Sequence, residues 1–481
     1  MHHPKSTCPR VGFLAALLLT IGSGASTFAE VRLPAIIGSH MVLQQKSEVE
    51  IWGWCEPSEE ITIRPGWEDN AYSAKGTRWA KWSVKIKTPG AGGPYTIAII
   101  GKNSITLEDV MIGEVWLCGG QSNMEWSGAL GIRQSLEEAP HATNENIRLF
   151  YVPKSASGFP QEESKGKWAV CNPDDMKRFS AIGYFFGKIL QRELGIPVGL
   201  INDNWGGTPA EVWTPGSLVD TNPVLREAAL KIPGDRPLWP IRPGECFNAM
   251  IHPITSFAIG GVIWYQGESN VGTYSSYQEL FTGMIGAWRA AWRRDFPFYF
   301  VQIAPYSGYG REHVGALLRE AQSRSAGYPK TGMVVISDLV DDLEDIHPQN
   351  KSGVASRLAN LALTETYGKK GLIWKSPSYK AMRIEGDKIR IFFENADSGL
   401  ISKDSGQTGF VIAGEDRRFL PATAAIEGNT VVLSNKEIKS PVAARFGFDN
   451  ASIPNLFSRE GLPVNLLRTD DWEVSTKEIG K

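Results

Sequence analysis

Between residues 111 and about 367, short apolar runs alternate with segments of helical period, and no other feature restricts the fold as strongly. Val115-Trp116-Leu117-Cys118, Val198-Gly199-Leu200-Ile201, Gly261-Val262-Ile263-Trp264-Tyr265, Phe298-Tyr299-Phe300-Val301 and Met333-Val334-Val335-Ile336 read as buried strands. Between them, Ile182, Phe185, Phe186, Ile189, Leu190 and Leu194 recur at three- and four-residue steps and predict a helix, stopped by Gly195 and Pro197. Tyr277 to Arg294, Leu317 to Ser325 and Gly353 to Tyr367 are read as helices too. Strands alternating with helices specify βαβ units and a largely parallel sheet covered on both faces. Ligands of such sheets bind beyond the carboxyl ends of the strands.

The flanks follow another pattern. Residues 31 to 110 hold short strands between turns, among them Val49–Trp54, Glu60–Ile63, Trp82–Ile86 and Tyr95–Ile99. After about 375 the strand pattern returns at Lys388–Phe393 and Thr430–Leu433. A chain of 481 residues exceeds one ordinary core. The expected division is 1–29 a leader, 30–110 an N-terminal β-sandwich segment, 111–375 the α/β domain and 376–481 a C-terminal β-rich segment.

The leader reads as an export signal. Lys5 and Arg10 precede the apolar stretch Val11 to Ile21, which is too short to span a bilayer, and small residues lead to cleavage after Ala29. The mature protein is expected to be secreted or periplasmic, without stable membrane insertion. Its remaining cysteines, Cys55, Cys118, Cys171 and Cys246, fit buried thiols at least as well as bridges. A net charge of −2 with no basic run excludes a nucleic-acid footprint. No His/Cys cluster has zinc spacing, and Asp338, Asp341 and Asp342 lack a cation-loop pattern, so neither metal nor cofactor is expected.

Four polar clusters fall just after predicted strands: Gly120-Gln121-Ser122-Asn123, Asn204-Trp205-Gly206-Gly207-Thr208, Gln266-Gly267-Glu268-Ser269-Asn270 and Asp345-Ile346-His347-Pro348. Together they point to one crevice at the carboxyl edge of the sheet. They contain what acyl transfer needs. Ser122 would attack a carbonyl, and His347 would take its proton and return it to the leaving alkoxide. The N–H groups of Ser122 and of Gly206 or Gly207, and the Gln266 amide, would bind the oxyanion. Gln121, Asn123, Trp126, Trp205, Glu268 and His252 are candidates for contacting substrate. Each also has a structural reading: a turn cap for Asn123, a buried loop tie for Glu268, a hydrogen-bonded framework role for His252, and core packing for the indoles.

The chain resembles the sialate O-acetylesterase-type carbohydrate esterases of the SGNH hydrolase superfamily. The resemblance rests on Met41–Gln45, Gly113 to Met124, Trp205–Thr208, Asn248–Pro253, Trp264–Asn270, Leu318–Gln322 and Ile346–Pro348. It implies a flavodoxin-like three-layer α/β/α SGNH domain with flanking β-sandwich segments. It also implies metal-free removal of acetyl groups from an acetylated carbohydrate, through an acyl-enzyme. The implied roles are Ser122 as nucleophile, His347 as base, and the Gly206–Gly207 and Gln266 segments as oxyanion elements.

Two positions depart from the superfamily pattern. The Asp expected three residues before the base is Glu344 here, while Asp345 stands two before. Asp345, Glu344 or a backbone carbonyl would orient His347. Asn204 stands where relatives often carry Ser. Acetylated xylan or another polysaccharide is the alternative substrate. A non-catalytic glycan-binding protein is the alternative of another class, and it predicts decay of a set in which Ser122, Gln266 and His347 all stand intact. A lipid esterase would show a long apolar flap, which the polar, Trp-bearing loops do not supply.

Overall fold

The computed structural model describes residues 1–2, 30–234, 239–403 and 409–479; the rest of the expected leader lies outside them. The central sheet runs in the order Thr331–Val334, Phe298–Val301, Gly261–Tyr265, Ser104–Gly120, Val198–Asn204, Asn144–Tyr151, Trp168–Cys171. Every neighbouring pair along it is parallel except the last, where Trp168–Cys171 closes the edge antiparallel. This is the expected flavodoxin-like three-layer arrangement.

Helices cover both faces because successive side chains point opposite ways. On one face, Trp116 packs edge-on against Phe186 of the helix Ala181–Leu194, which in turn packs on Lys351–Glu365. On the other, Trp264 sits among Phe281 and Trp288 of the helix Tyr274–Trp292. Each indole lies across a glycine of the neighbouring strand. A Cβ on Gly261 would fall 2.4 Å from the Trp116 ring, and one on Gly119 would fall 2.9 Å from the Trp264 ring. The Ala181–Leu194 helix ends as its sequence predicts, on Gly195 in the left-handed region at φ +67°.

The strand Ser104–Gly120 is 17 residues long and serves two sheets. Its first part pairs with Gly92–Ile100 and Val42–Gln44 of the N-terminal β layer. Its second part, fully buried from Val110 onward, is the centre of the α/β sheet. The boundary expected at 110/111 therefore falls inside a continuous strand. Buried Glu114 fastens the junction: Gln44 and Gln45 donate amide hydrogens to it at 2.9 and 2.8 Å, and the Tyr367 hydroxyl donates at 2.9 Å. The Met41–Gln45 motif is thus a structural clasp.

The C-terminal region forms two antiparallel four-stranded sheets around their own core of Ile389, Ile391, Phe410, Ile412, Val431, Leu433 and Phe446. Arg468 ties this unit to the α/β layer through both oxygens of Glu320, at 2.7 and 2.9 Å. Cys55, Cys118, Cys171 and Cys246 are all buried thiols. Among the described residues no helix is long and apolar enough to cross a membrane.

Two strands of the central sheet escaped the sequence reading, Asn144–Tyr151 and Trp168–Cys171. Asn144–Tyr151 opens on Asn-Glu-Asn, and that polar start hides the four buried residues Ile147–Phe150. Because Trp116 lies directly on Gly261, Gly261→Ala is expected to destabilise the fold by about 1–3 kcal/mol, read as a lowered midpoint in denaturant unfolding.

Candidate active site

Ser122 begins a one-turn helix, Ser122–Glu125, at the end of the long central strand. The turn into it is tight. Gly120 has φ +138°, and a Cβ there would lie 2.1 Å from the Tyr265 carbonyl oxygen, so the position requires glycine. Neighbouring strands grip the turn on both sides: Gln121 N–H donates to Tyr265 O at 2.9 Å, and Trp205 N–H donates to Gly120 O at 3.0 Å.

His347 lies in the loop between the last sheet strand and the helix Lys351–Glu365, which is capped by Asn350. Its Nε2 is 3.0 Å from Ser122 Oγ. On the other side of the ring, Nδ1 is 3.6 Å from Asp345 Oδ1, which also accepts the His347 backbone N–H at 2.8 Å. Glu344 is exposed, and the hydrogen bond recorded for it is its backbone N–H to Asp342. Asp345 is therefore the carboxylate nearest the imidazole. Trp126 stacks on the same ring, with centroids 4.2 Å apart and planes at 16°.

Behind the serine turn lies a buried polar knot. Asn123 donates to Glu268 Oε1 at 2.6 Å and to Ile346 O at 2.9 Å, and accepts from Lys351 Nζ at 2.6 Å. Burial pulls the Lys351 ammonium well below the usual lysine range, while Glu268 and Asp345 pull it back. Burial likewise raises the Glu268 carboxyl. The His347 imidazole is lowered from 6.5, first by burial and then by the charge of Lys351, against the pull of Asp345. It is neutral at neutral pH, with Nε2 facing a hydroxyl, which is the state and geometry a general base needs.

The loop after Val198–Asn204 presses on the serine. A Cβ on Gly206 would come 3.2 Å from Ser122 Cβ. Gly207 has φ +73°. Among the described residues no hydrogen bond occupies the N–H of Ser122 or of Gly207. A cavity of about 530 Å³, lined by Glu125, Leu130, Tyr151, Phe179 and neighbours, opens beside this turn.

Residues 112–364 match the family described as carbohydrate esterase, sialic acid-specific acetylesterase. The sialate O-acetylesterase of Homo sapiens is 30% identical over 405 residues, covering 76% of this chain and 77% of that protein. The chain belongs to the sialic acid-specific acetylesterase family. The Pongo abelii sialate O-acetylesterase is 28% identical and covers 90% of each chain. The crystal structure of a carbohydrate acetylesterase from Xanthomonas citri is 36% identical, with a TM-score of 0.84, covering 92% of this chain and 100% of that one. The protein is a carboxylic ester hydrolase on the SGNH-type α/β fold.

Several residues of the esterase sit elsewhere than their motifs suggest. Gln266, expected to donate to an oxyanion, is wholly buried; its amide donates to Asn270 at 2.7 Å and Thr208 O at 3.3 Å and accepts from Tyr277. It has no hydrogen left for a ligand. The Gly206 N–H is likewise taken, by the Glu125 carboxylate. Gln121, Asn123 and Glu268, candidates for contacting substrate, are buried ties, which for Glu268 is the loop-tie reading given by the sequence. Gln121 Oε1 accepts the Gly267 and Ser269 N–H groups, both at 3.3 Å, binding the serine turn to the next loop. His252 Nδ1–H donates to Gln161 O at 2.8 Å, in a cleft formed with Trp52, Trp54 and Glu162, apart from the Ser122 turn. Trp126 and Trp205 remain at the site, but Trp126 is spent on the imidazole. Asn204 turns inward, donating to Asn202 and Cys118 O. Asp338 pairs bidentately with Arg357.

Glu125, Trp239 and Lys351 were missed. Glu125 stands three residues after Ser122 and Lys351 four after His347, so spacing from the two reactive residues was the available signal. Because both burial and the Lys351 charge disfavour the imidazolium, an NMR titration of His347 is expected to give a midpoint below 6.5. Lys351→Met removes the repelling charge, so that midpoint should move upward.

Proposed function

We propose that the esterase removes O-acetyl groups from sialic acids by a serine acyl-enzyme mechanism. The observation that carries this reading is the 3.0 Å contact between His347 Nε2 and Ser122 Oγ. His347 takes the Ser122 proton as Oγ bonds to the acetyl carbonyl carbon. The Ser122 and Gly207 N–H groups donate hydrogen bonds to the carbonyl oxygen as negative charge develops on it. The C–O bond to the sugar then breaks, the sugar oxygen leaves with the proton from His347, and acetyl-Ser122 remains. Water gives a proton to His347 as its oxygen bonds to the acetyl carbon, the bond from that carbon to Ser122 Oγ breaks, His347 returns the proton to Oγ, and acetic acid leaves as acetate after losing its proton to solvent. Asp345, 3.6 Å from Nδ1, stabilises the imidazolium by charge and holds the loop through the His347 N–H. The sialate reading is supported by the family match and by the two sialate O-acetylesterases that cover most of the chain.

A wider sugar range, including acetylated xylan, is the second reading. It is favoured by the carbohydrate acetylesterase of Xanthomonas citri, which at 36% is more similar in sequence than the two sialate enzymes. Acetate release from O-acetylated sialic acid and acetylated xylan, assayed in parallel, separates the two. Ser122→Ala is expected to abolish release from both; activity surviving in that variant would remove Ser122 from the mechanism. We also propose export on the leader that ends at Ala29. N-terminal sequencing of exported protein is expected to begin at Glu30.

A further inference from the structure

Trp239 is an exposed indole, yet its Nε1–H is not directed at solvent. It donates to the carbonyl oxygen of Gly206 at 2.7 Å. That carbonyl belongs to the same peptide group as the Gly207 N–H. In a trans peptide the C=O and N–H point in opposite directions within one plane, and Gly206–Gly207 is not among the cis bonds of the chain. A hydrogen bond that fixes the carbonyl from one side therefore fixes where the N–H points on the other.

The preceding peptide is held as well. The Gly206 N–H donates to Glu125 Oε2, and the other oxygen of Glu125 pairs with Lys154. A Cβ at residue 206 would lie 2.9 Å from that same Glu125 oxygen and 3.2 Å from Ser122 Cβ, so the loop is seated against both. Lys154 Nζ is 6.0 Å from the centre of the Trp205 ring, and the Trp205 and Trp239 rings are 6.5 Å apart. Two consecutive peptide planes around a glycine pair, which has no side chain to restrain it, are thus pinned: the first by Glu125 at the Gly206 N–H and by the Thr208 hydroxyl, which donates to Trp205 O at 2.6 Å, and the second by Trp239.

We propose that Trp239 and Glu125 are positioning residues that aim the Gly207 N–H at the developing oxyanion. This rests on the acyl-enzyme reading given above. Glu125, with the Thr208 hydroxyl at the Trp205 carbonyl, sets the Trp205–Gly206 plane, and Trp239 sets the Gly206–Gly207 plane. A donor held at the carbonyl also polarises the peptide, which strengthens the N–H on its far side. Preorganised donors act in the transition state rather than in substrate binding, so their loss lowers kcat more than it raises KM.

The competing role for an exposed Trp beside a sugar site is a stacking platform. A sugar-free aryl acetate separates the two. Trp239→Phe keeps an aromatic face and removes only the N–H donor. On the aryl acetate it is expected to lower kcat about tenfold with KM changed less than about twofold, and to slow phosphonylation of Ser122 by a small organophosphonate by a similar factor. Glu125→Ala is expected to lose about as much, and Glu125→Gln, which keeps an acceptor for the Gly206 N–H, clearly less. Full kcat on the aryl acetate in Trp239→Phe, or a loss confined to sugar substrates, overturns the proposal. Ser122→Ala is the internal control. If it stays active the acyl-enzyme reading has failed; if it is dead while Trp239→Phe is not, only the positioning role has failed.

Discussion

The side chain of Asn123 holds together two segments that are 223 residues apart in the chain. One amide reaches the residue preceding His347, a buried carboxylate and a buried ammonium, and it is attached directly to Ser122. The contact between serine and imidazole has no such brace of its own. It is a single 3.0 Å hydrogen bond between a side chain on a turn and a side chain on a loop. Its length is set by the knot behind it. Burying Lys351 and Glu268 is costly, and each is tolerable because Asn123 lies between them and bonds to both. Taking away one member would leave an uncompensated charge behind the Ser122 turn.

The imidazole is confined from three directions. Trp126 covers one ring face, Asp345 lies off Nδ1 and holds the backbone, and Ser122 lies off Nε2. The first of these is the least like a conventional charge partner. A stacked indole restricts ring rotation without adding a formal charge. With Asp345 beyond hydrogen-bonding distance of Nδ1, the orientation of the base is shared between packing and electrostatics.

Ser122, His347 and the Gly206–Gly207 loop were legible in the sequence because each follows a strongly apolar strand, and the parallel sheet delivers such positions to one edge. The central helices and strands were legible for the same reason of periodicity. The amides were not. Gln266 carries donors and an acceptor suited to a ligand, and nothing local in the chain reveals that Asn270, Thr208 and Tyr277 already occupy them, or that the Gly267 and Ser269 N–H groups take the Gln121 oxygen. Of the two readings of His252, its hydrogen bond to Gln161 O fits the framework one; Asn-Ala-Met-Ile-His-Pro carries no information about which neighbour packs on it, and Trp52 and Trp54 line the same cleft from some two hundred residues away in sequence. Trp239 was invisible because its partner is a backbone carbonyl, which every residue possesses.

The strand Ser104–Gly120 belongs to the N-terminal β layer at one end and leads into the Ser122 turn at the other. The N-terminal segment is therefore not a detachable cassette that accompanies an independent enzyme. A genetic cut at its edge would leave the residues before Gly120 with an unpaired flank and would remove the Gln44 and Gln45 amides from buried Glu114. In mechanical terms the strand is a shared beam. A load applied to the outer layer is carried by one continuous backbone to the turn that holds Ser122 beside His347.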